Sequence, residues 1–424
     1  MKKLSKFVTI FKVKMLQIIM LIRKKVFVMK FKFVCLSILL SSVVATAEWV
    51  YNPTDKTLSQ GTVVLNNVTE NKGALVIGDN KANETAIELD FSTGVADNYY
   101  IKEIAKSAFN GNLNVTRLVL PDTITYIGES AFLGCSNLKG ELVLPDSLTS
   151  TGYHPFYKAA IQRIVFGSGM THVNNWFMKE NSALTSIEWN NAITSIGERA
   201  FEKCSSVTTF ESPFPENIKS VGYSAFHTMP NLTGDNRDLK LLKLTSLGDI
   251  SFQNCGIRSV EIGGGVPSTR NAFFQAQKLE SVILHEGVKT VGWNCFPYCV
   301  ALTNLVVPAS IESVEACTYT SSSMGNAELH IWWNGVPEIG KVDFSSSGLI
   351  LGKFPVTHHV RYSDKAEWMD FAAATPEDLK ASATIVLPPA NTSISEGHWG
   401  YKSETLKQKV LWFDLPLSLT IMIK

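Results

Sequence analysis

A twelve-residue phrase recurs along the middle of this 424-residue chain. It reads Ile-Thr-Tyr-Ile-Gly-Glu-Ser-Ala-Phe-Leu-Gly-Cys at 124–135 and returns as Ile-Thr-Ser-Ile-Gly-Glu-Arg-Ala-Phe-Glu-Lys-Cys at 193–204. Weaker copies occupy 218–226, 244–255 and 288–299. One aromatic anchor per copy recurs in steps of 21 to 26 residues, and these anchors are Phe109, Phe132, Phe156, Phe177, Phe201, Phe226, Phe252, Phe274 and Phe296. Such a period predicts a solenoid, because each unit can bury its apolar side only against the next unit.

Each repeat has two parts. The first is Leu-x-x-Leu-x-Leu, as at 115–120 and 302–307, and its alternation predicts a half-buried strand whose middle residue points outward. The second is the Ile-x-x-Ile-Gly-x-x-Ala-Phe phrase, which we expect to be an extended piece that runs into one short helical turn. Stacked copies predict a continuous sheet along one side and short turns along the other.

A glycine follows the second isoleucine of the phrase. This position predicts either a positive φ angle or a close contact between coils. The phenylalanine that comes next is expected to fill the core, with a small residue before it. The glycines that share the position are Gly128, Gly152, Gly197, Gly222, Gly248 and Gly292.

The amino-terminal 47 residues differ in composition from the rest of the chain. They hold ten Lys or Arg residues and no Asp or Glu. Residues 29–32 are basic, 33–44 are apolar, and Ala-Thr-Ala at 45–47 has the small-x-small pattern of a cleavage site. We therefore interpret 1–47 as a signal or targeting region and predict that the true start of translation is Met29. The alternative is a membrane anchor within the same residues.

Without this region, the chain is acidic. Subtracting the ten leaves 39 − 10 = 29 basic residues against 38 acidic ones, which is a formal charge of −9. A body this acidic lacks the electrostatic footprint for nucleic acid or an anionic membrane. We expect membrane contact only through the amino-terminal signal.

The remaining chain divides into three parts. Short alternating segments between turn residues predict a β-rich amino-terminal cap at 48–97, because a solenoid end must be covered. The repeats at 98–371 form the predicted solenoid, and 372–424 is a tail whose structure the sequence does not predict. Within the tail, 410–423 is either a last strand or the remnant of a truncated reading frame.

The combination Ile-x-x-Ile-Gly-x-x-Ala-Phe-x-x-Cys resembles the BspA-like branch of leucine-rich repeat proteins, which is related to the treponemal type. The resemblance covers roughly residues 95–370. It implies an α/β fold leaning to β: a right-handed leucine-rich repeat solenoid of about ten coils with a β-rich cap. Residues 359–371 resemble the closing strand and helix of such domains. The coil at 170–177 departs from the pattern by lacking the Gly and Ala, and the coil at 311–319 has Glu315 in place of the Gly.

Six cysteines follow the signal, an even number that invites a disulfide interpretation in an exported protein. Four of them share one repeat position in coils that are not adjacent, which places them about 10 Å apart, too far for a bridge. We interpret Cys135, Cys204, Cys255 and Cys299 as small core residues. A bridge between Cys295 and Cys317 stays open, because they occupy near-equivalent positions in neighbouring coils.

No pattern indicates a cofactor, a metal site or catalytic residues. The eight histidines lack ligand spacing, and the pair His358-His359 is expected at a solvated strand end. The stretch 79–84 carries oxygen ligands but misses the fixed positions of a calcium loop, so we expect a turn.

The middle residues of the strands form an outward row. It reads three valines, then acids, then two apolar residues, with Lys240 in an irregular coil between. A contiguous exposed apolar patch usually marks a contact surface, but β-propensity alone also favours valine in strands. Trp189 is predicted to be core, and one of Trp332 and Trp333 is predicted to face out. The candidate partner-binding residues are Val119, Val143, Val165, Glu188, Glu211, Glu261, Ile283 and Val306.

Three functions are consistent with these patterns. The resemblance implies an exported cell-surface or secreted protein that is not an enzyme and mediates adhesion, with an extracellular or cell-surface protein of a host as partner. The first alternative is a carbohydrate-binding surface protein that uses an exposed tryptophan, such as Trp293 or Trp333. The second is a hydrolase with its site outside the repeats, in the tail.

Overall fold

The computed structural model describes residues 48–80, 87–315, 329–336, 356–361, 366–367, 399–403 and 408–413. The predicted signal region, Cys317 and most of the tail lie outside these residues. The chain folds into a β-solenoid of about eleven turns, which confirms the predicted fold class.

The cap combines antiparallel strands with the first turns of the solenoid. Strands β1–β3 form an antiparallel sheet, and β4 pairs antiparallel with β5. Both β5 and β6 then pair in parallel with strands of the first repeat. Repeat strands therefore stack on a template that the cap already supplies. The cap strands are β1 (Val50–Asn52), β2 (Thr57–Gln60), β3 (Val63–Leu65), β4 (Val68–Asn71), β5 (Ala74–Ile77) and β6 (Ile87–Asp90).

The Leu-x-x-Leu-x-Leu segments form one side of the solenoid, which we call the strand face. Its strands run parallel but divide into three sheets, β6-β8, β10-β12-β14-β16, and one that starts at β18, so the predicted continuous sheet is wrong. Strand β27 alone is antiparallel, to β28, among the strands that the structure describes on this face. The strands are β8 (Val115–Val119), β10 (Glu141–Leu144), β12 (Arg163–Phe166), β14 (Ser186–Glu188), β16 (Thr209–Phe210), β18 (Asp238–Leu241), β20 (Ser259–Ile262), β21 (Ser281–Leu284), β23 (Asn304–Pro308), β25 (Leu329–Asn334), β26 (Val356–Arg361), β27 (Trp399–Ser403) and β28 (Gln408–Phe413).

The Ile-x-x-Ile-Gly segments form a second parallel ladder of mostly two-residue strands. Each strand leads into hydrogen-bonded turns, and these turns form the side of the solenoid that we call the turn face. No regular helix occurs within 87–315. The expected short helical turn is therefore wrong: left-handed residues such as Ser130, with φ +55°, and Gly134, with φ +73°, interrupt any helix. The strands are β7 (Tyr100–Ile104), β9 (Tyr126–Ile127), β11 (Ser150–Thr151), β13 (His172–Val173), β15 (Ser195–Ile196), β17 (Ser220–Val221), β19 (Ser246–Leu247), β22 (Thr290–Val291) and β24 (Ser313–Val314).

The core is a column of phenylalanine rings that run from coil to coil. Phe109 and Phe132 stack with their centroids 5.1 Å apart, and Phe201 and Phe226 stack at 5.5 Å. One predicted anchor is wrong, because Phe273 rather than Phe274 is fully buried and stacks on Phe252 at 5.6 Å. The Ala-Phe pair of that coil is Ala272-Phe273, so its buried phenylalanine comes one residue before the predicted anchor.

Close packing between coils explains the repeated glycine. A Cβ atom on Gly197 would lie 2.6 Å from the backbone nitrogen of Asn175, and one on Gly222 would lie 2.5 Å from that of Glu198. None of the six shared glycines has a positive φ. Of the two predicted reasons for glycine here, the structure confirms the close contact.

The repeated cysteines and Trp189 lie in the core, as predicted. Cys135 and Cys204 are fully buried, and each Sγ donates to a backbone carbonyl 3.1 Å away, of Phe109 and Met178 respectively. Burial raises the pKa of both thiols to about 12, so they are neutral at physiological pH. Trp189 is 5% exposed. The possible bridge to Cys317 falls outside the described residues.

Candidate binding face

The predicted outward residues lie side by side, because the parallel strands pair in register. Val143 pairs in register with Val165, which pairs with Glu188. In the sheet that starts at β18, Lys240 pairs with Glu261 and the row continues to the end of the solenoid. The candidate residues therefore share one surface, although they differ widely in exposure.

At the amino-terminal end, the row is open to solvent. Val143 is 48% exposed, and Val119 and Val165 are half-buried. Next to Val143, a groove of about 740 Å³ runs between β8 and β10. Gly140, with φ +83°, lies just before β10, and β8 and β10 belong to different sheets. Polar and charged side chains such as Arg117 line the groove together with the valines.

Arg163 organises the acids of this end. Its Nε lies 2.9 and 3.0 Å from the two carboxylate oxygens of Glu211, and its terminal nitrogens bind Glu141 and Glu188. Hydrogen bonds from Arg163, helped by one from Ser186, lower the pKa of Glu211 below its usual value. The acids are thus held as an ion-pair cluster instead of standing free.

Sequence reasoning missed Arg163, although a signal for it was available. It lies two residues before Val165 on the same strand, so the same alternation places both side chains on the outward side. The predicted row contains only the middle residue of each strand, so it omits the second column of outward side chains, to which Arg163 belongs.

A second polar groove, of about 590 Å³, crosses β18, β20 and β21. Arg258 binds Asp238 with its Nε 3.0 Å from Oδ1, and Ser259 donates to the same oxygen at 2.6 Å. Glu261 lies 3.4 Å from Nε2 of His285. Charged groups therefore continue along the strand face beyond the valines.

The carboxyl-terminal end of the row is closed, which corrects two expectations. Ile283 and Val306 point outward from the sheet but are only 5% and 4% exposed. They form a small second core on which Trp332 packs. The sequence predicted exposed apolar residues here because strand alternation gives the direction of a side chain but not what covers it.

Trp332 and Trp333 divide as predicted: Trp333 is 1% exposed in the main core, and Trp332 lies on the outward side. The ring of Trp332 stacks on His359 with a centroid distance of 3.7 Å, and His359 Nε2 lies 3.0 Å from His330 Nδ1. His359 is 8% exposed, so its expected position at a solvated strand end is wrong. Because Trp333 is buried, the expectation that it is an exposed carbohydrate-binding tryptophan is wrong, whereas Trp293 is 58% exposed on the turn face.

Within the described part of the chain, no group of three or more His, Cys, Asp or Glu side chains could hold a metal ion. Among the same residues, no helix has the length and hydropathy needed to cross a membrane. The tail in which a hydrolase site was considered falls mostly outside the described residues.

Parallel strands repeated every 21 to 26 residues around a phenylalanine column define a leucine-rich repeat solenoid. The chain belongs to the family with the BspA type leucine-rich repeat region, whose pattern matches in six copies over residues 102–233 and 214–326. No curated protein matches the chain.

Solved structures of bacterial leucine-rich repeat proteins are similar to this chain. One from Bacteroides ovatus has 18% identity and a TM-score of 0.35, and the match covers 73% of this chain and 97% of that protein. One from Eubacterium ventriosum has 18% identity and a TM-score of 0.34, with 78% and 95% covered. A leucine-rich cell surface protein from Faecalibacterium prausnitzii has 18% identity and a TM-score of 0.27, with 66% and 95% covered.

Proposed function

We propose that this protein binds another protein through the open part of its strand face, without catalysis. The observation that carries the proposal is Val143, a large apolar side chain that is 48% exposed between a groove and an ordered ion-pair cluster. Exposed apolar side chains rimmed by ordered polar groups are typical of contact surfaces.

The face would bind by shape and charge. The proposed contact residues are Val119, Val143 and Val165 with the acids Glu188, Glu211 and Glu261. Arg163 holds two of these acids in place, so little side-chain freedom would be lost on binding. Ile283 and Val306 would support the edge of the face from beneath Trp332.

We also propose that the protein is exported and acts as an adhesin towards a host extracellular or cell-surface protein. The basic, apolar and small-x-small pattern of residues 29–47 supports export, and membership of the BspA type family supports a surface role. The partner is expected to bind without a cofactor.

The test is binding of the full chain to immobilised fibronectin, laminin, fibrinogen and collagen. We expect saturable binding to at least one of them, weakened about tenfold by Val143→Asp and by the double change Glu188→Lys with Glu211→Lys. Val64→Asp is the matched control, because Val64 is a 42% exposed valine in the cap. Circular dichroism would confirm that each variant is folded.

Saturable binding that survives both strand-face changes would contradict the proposed face but leave protein binding intact. Binding lost equally in the cap control would indicate a general effect on folding or charge. No binding to any of the four proteins would overturn the proposal that the chain is a matrix adhesin.

A further inference from the structure

A second cluster of side chains crosses four consecutive coils on the turn face, away from the strand face. His154 and Trp176 have ring centroids 5.1 Å apart, and Tyr157 lies 6.1 Å from Trp176. The guanidinium carbon of Arg199 lies 5.0 Å from the Trp176 ring centre and 5.2 Å from that of Tyr223. We call this cluster the aromatic ladder, and its members are Tyr153, His154, Tyr157, Trp176, Arg199 and Tyr223.

Three members occupy a backbone position that does not favour large side chains. His154, Trp176 and Arg199 have φ angles of +58°, +63° and +54°. The same left-handed position holds Ser130 before the ladder and Ile250 after it. The left-handed backbone is therefore a feature of the repeat. What distinguishes the ladder is that the side chains at this position contact one another from coil to coil.

The solvent side of the ladder presents cations and tyrosine rings. The side chains of Lys158 and Lys203 are 55% and 53% exposed, whereas Glu180, which lies 3.6 and 3.7 Å from their amines, is 26% exposed. Tyr153 and Tyr223 are 53% and 40% exposed. Glu198, which lies 3.6 Å from Arg199, is 44% exposed, so the outer edge carries two exposed lysines against one acid of similar exposure.

The interior of the ladder is closely packed. Lys179 is 7% exposed, lies 4.3 Å over the Trp176 ring and pairs with Glu202 at 3.0 Å. Arg199 also approaches Glu202, at 3.5 Å. Cation–π contacts and partly buried ion pairs of this kind fix the orientation of the rings before any ligand arrives.

We infer that the aromatic ladder is a second binding surface, for an acidic oligosaccharide. The exposed tyrosine faces would stack on the apolar faces of sugar rings, and Lys158 and Lys203 would pair with carboxylate or sulfate groups. Tyr153 and Tyr223 lie three coils apart, which at about 4.8 Å per coil gives a platform about 14 Å long. This length suits a short chain of sugars better than a single one.

The experiment measures binding of the full chain to a heparin octasaccharide and a hyaluronan octasaccharide, with dextran as the neutral probe. We expect an acidic octasaccharide to bind, and Tyr153→Ala with Tyr223→Ala, or Lys158→Gln with Lys203→Gln, to weaken it at least tenfold. Lys289→Gln is the matched control, because Lys289 is 53% exposed, like Lys203, and pairs with Glu312 away from the ladder. Val143→Asp should leave glycan binding unchanged, which separates this surface from the strand face.

Three outcomes would overturn the inference: no binding of either acidic octasaccharide, equal binding of dextran, or full binding by the tyrosine variant. Full binding by the tyrosine variant would show that the lysines attract a polyanion without recognition of its sugar rings. A single-stranded DNA oligonucleotide of matched charge checks the same point, since equally tight binding of DNA would contradict recognition of a sugar.

Discussion

The two ends of the strand face differ, although their sequences look alike. Val143 on β10 and Val306 on β23 are both outward valines in parallel strands, yet one is 48% exposed and the other 4%. At the first end, a groove lies beside the valine. At the second, Trp332 packs on the row.

The difference shows that a repeat can turn an outward position into core without changing its backbone. The pairing of Val306 with Trp332 is as regular as that of Val143 with Val165. The two positions differ in the side chain on the adjacent strand, which is Val165 beside Val143 and the much larger Trp332 beside Val306. The strand face therefore has an open part suited to binding and a closed part suited to stability.

The largest effect should come from placing a charge at the closed end. Val306→Asp buries an unpaired carboxylate and should lower the free energy of unfolding by about 3 kcal/mol. Val143→Asp should change it by less than about 0.5 kcal/mol, because its side chain remains in water. Urea denaturation of both variants measures the contrast, and equal losses would abolish the distinction between the two ends.

A smaller effect is expected from removing the cover itself. Trp332→Ala should lower the free energy of unfolding by about 2 kcal/mol, less than for a fully buried tryptophan, because Trp332 is half-buried. Trp293→Ala is the control, since that ring is 58% exposed and should contribute little. Thermal melting would compare them, and a stable Trp332→Ala protein would show that other residues close this end.

The smallest effect belongs to the open end. Arg163→Gln should cost about 1 kcal/mol or less at neutral pH, because its ion pairs are partly exposed and screened. The folded pKa of Glu211 lies below its unfolded value, so this contribution is present above the unfolded pKa. It is lost as the pH falls through the folded pKa.

Denaturation curves of wild type and Arg163→Gln from neutral to acidic pH would test the sign. The two stabilities should converge in acid. A gap that stays constant or widens as the pH falls would show that Arg163 acts through packing instead of through Glu211.

Much of the core could be predicted from local pattern. The period located the buried Phe column, the glycine contacts and the cysteine position, because each depends on one residue repeating against its own copies. The pattern failed at Phe274, where a coil shifted by one residue places Phe273 inside. The local signal was Ala272, because the buried phenylalanine of the repeat directly follows an alanine, and Phe273 does so.

The sequence by itself determined that this chain stacks coils, which side chains each coil turns inward, and which family it belongs to. Only the tertiary structure decided which outward residues are free to meet a partner. Arg163 gathers acids from three other coils, and Trp332 packs on a valine and an isoleucine from two. These contacts join positions 22 to 49 residues apart on the outer surface, where no periodic core constrains the residue type. Periodicity therefore specifies the inside of the solenoid, whereas the fit of particular side chains specifies its outside.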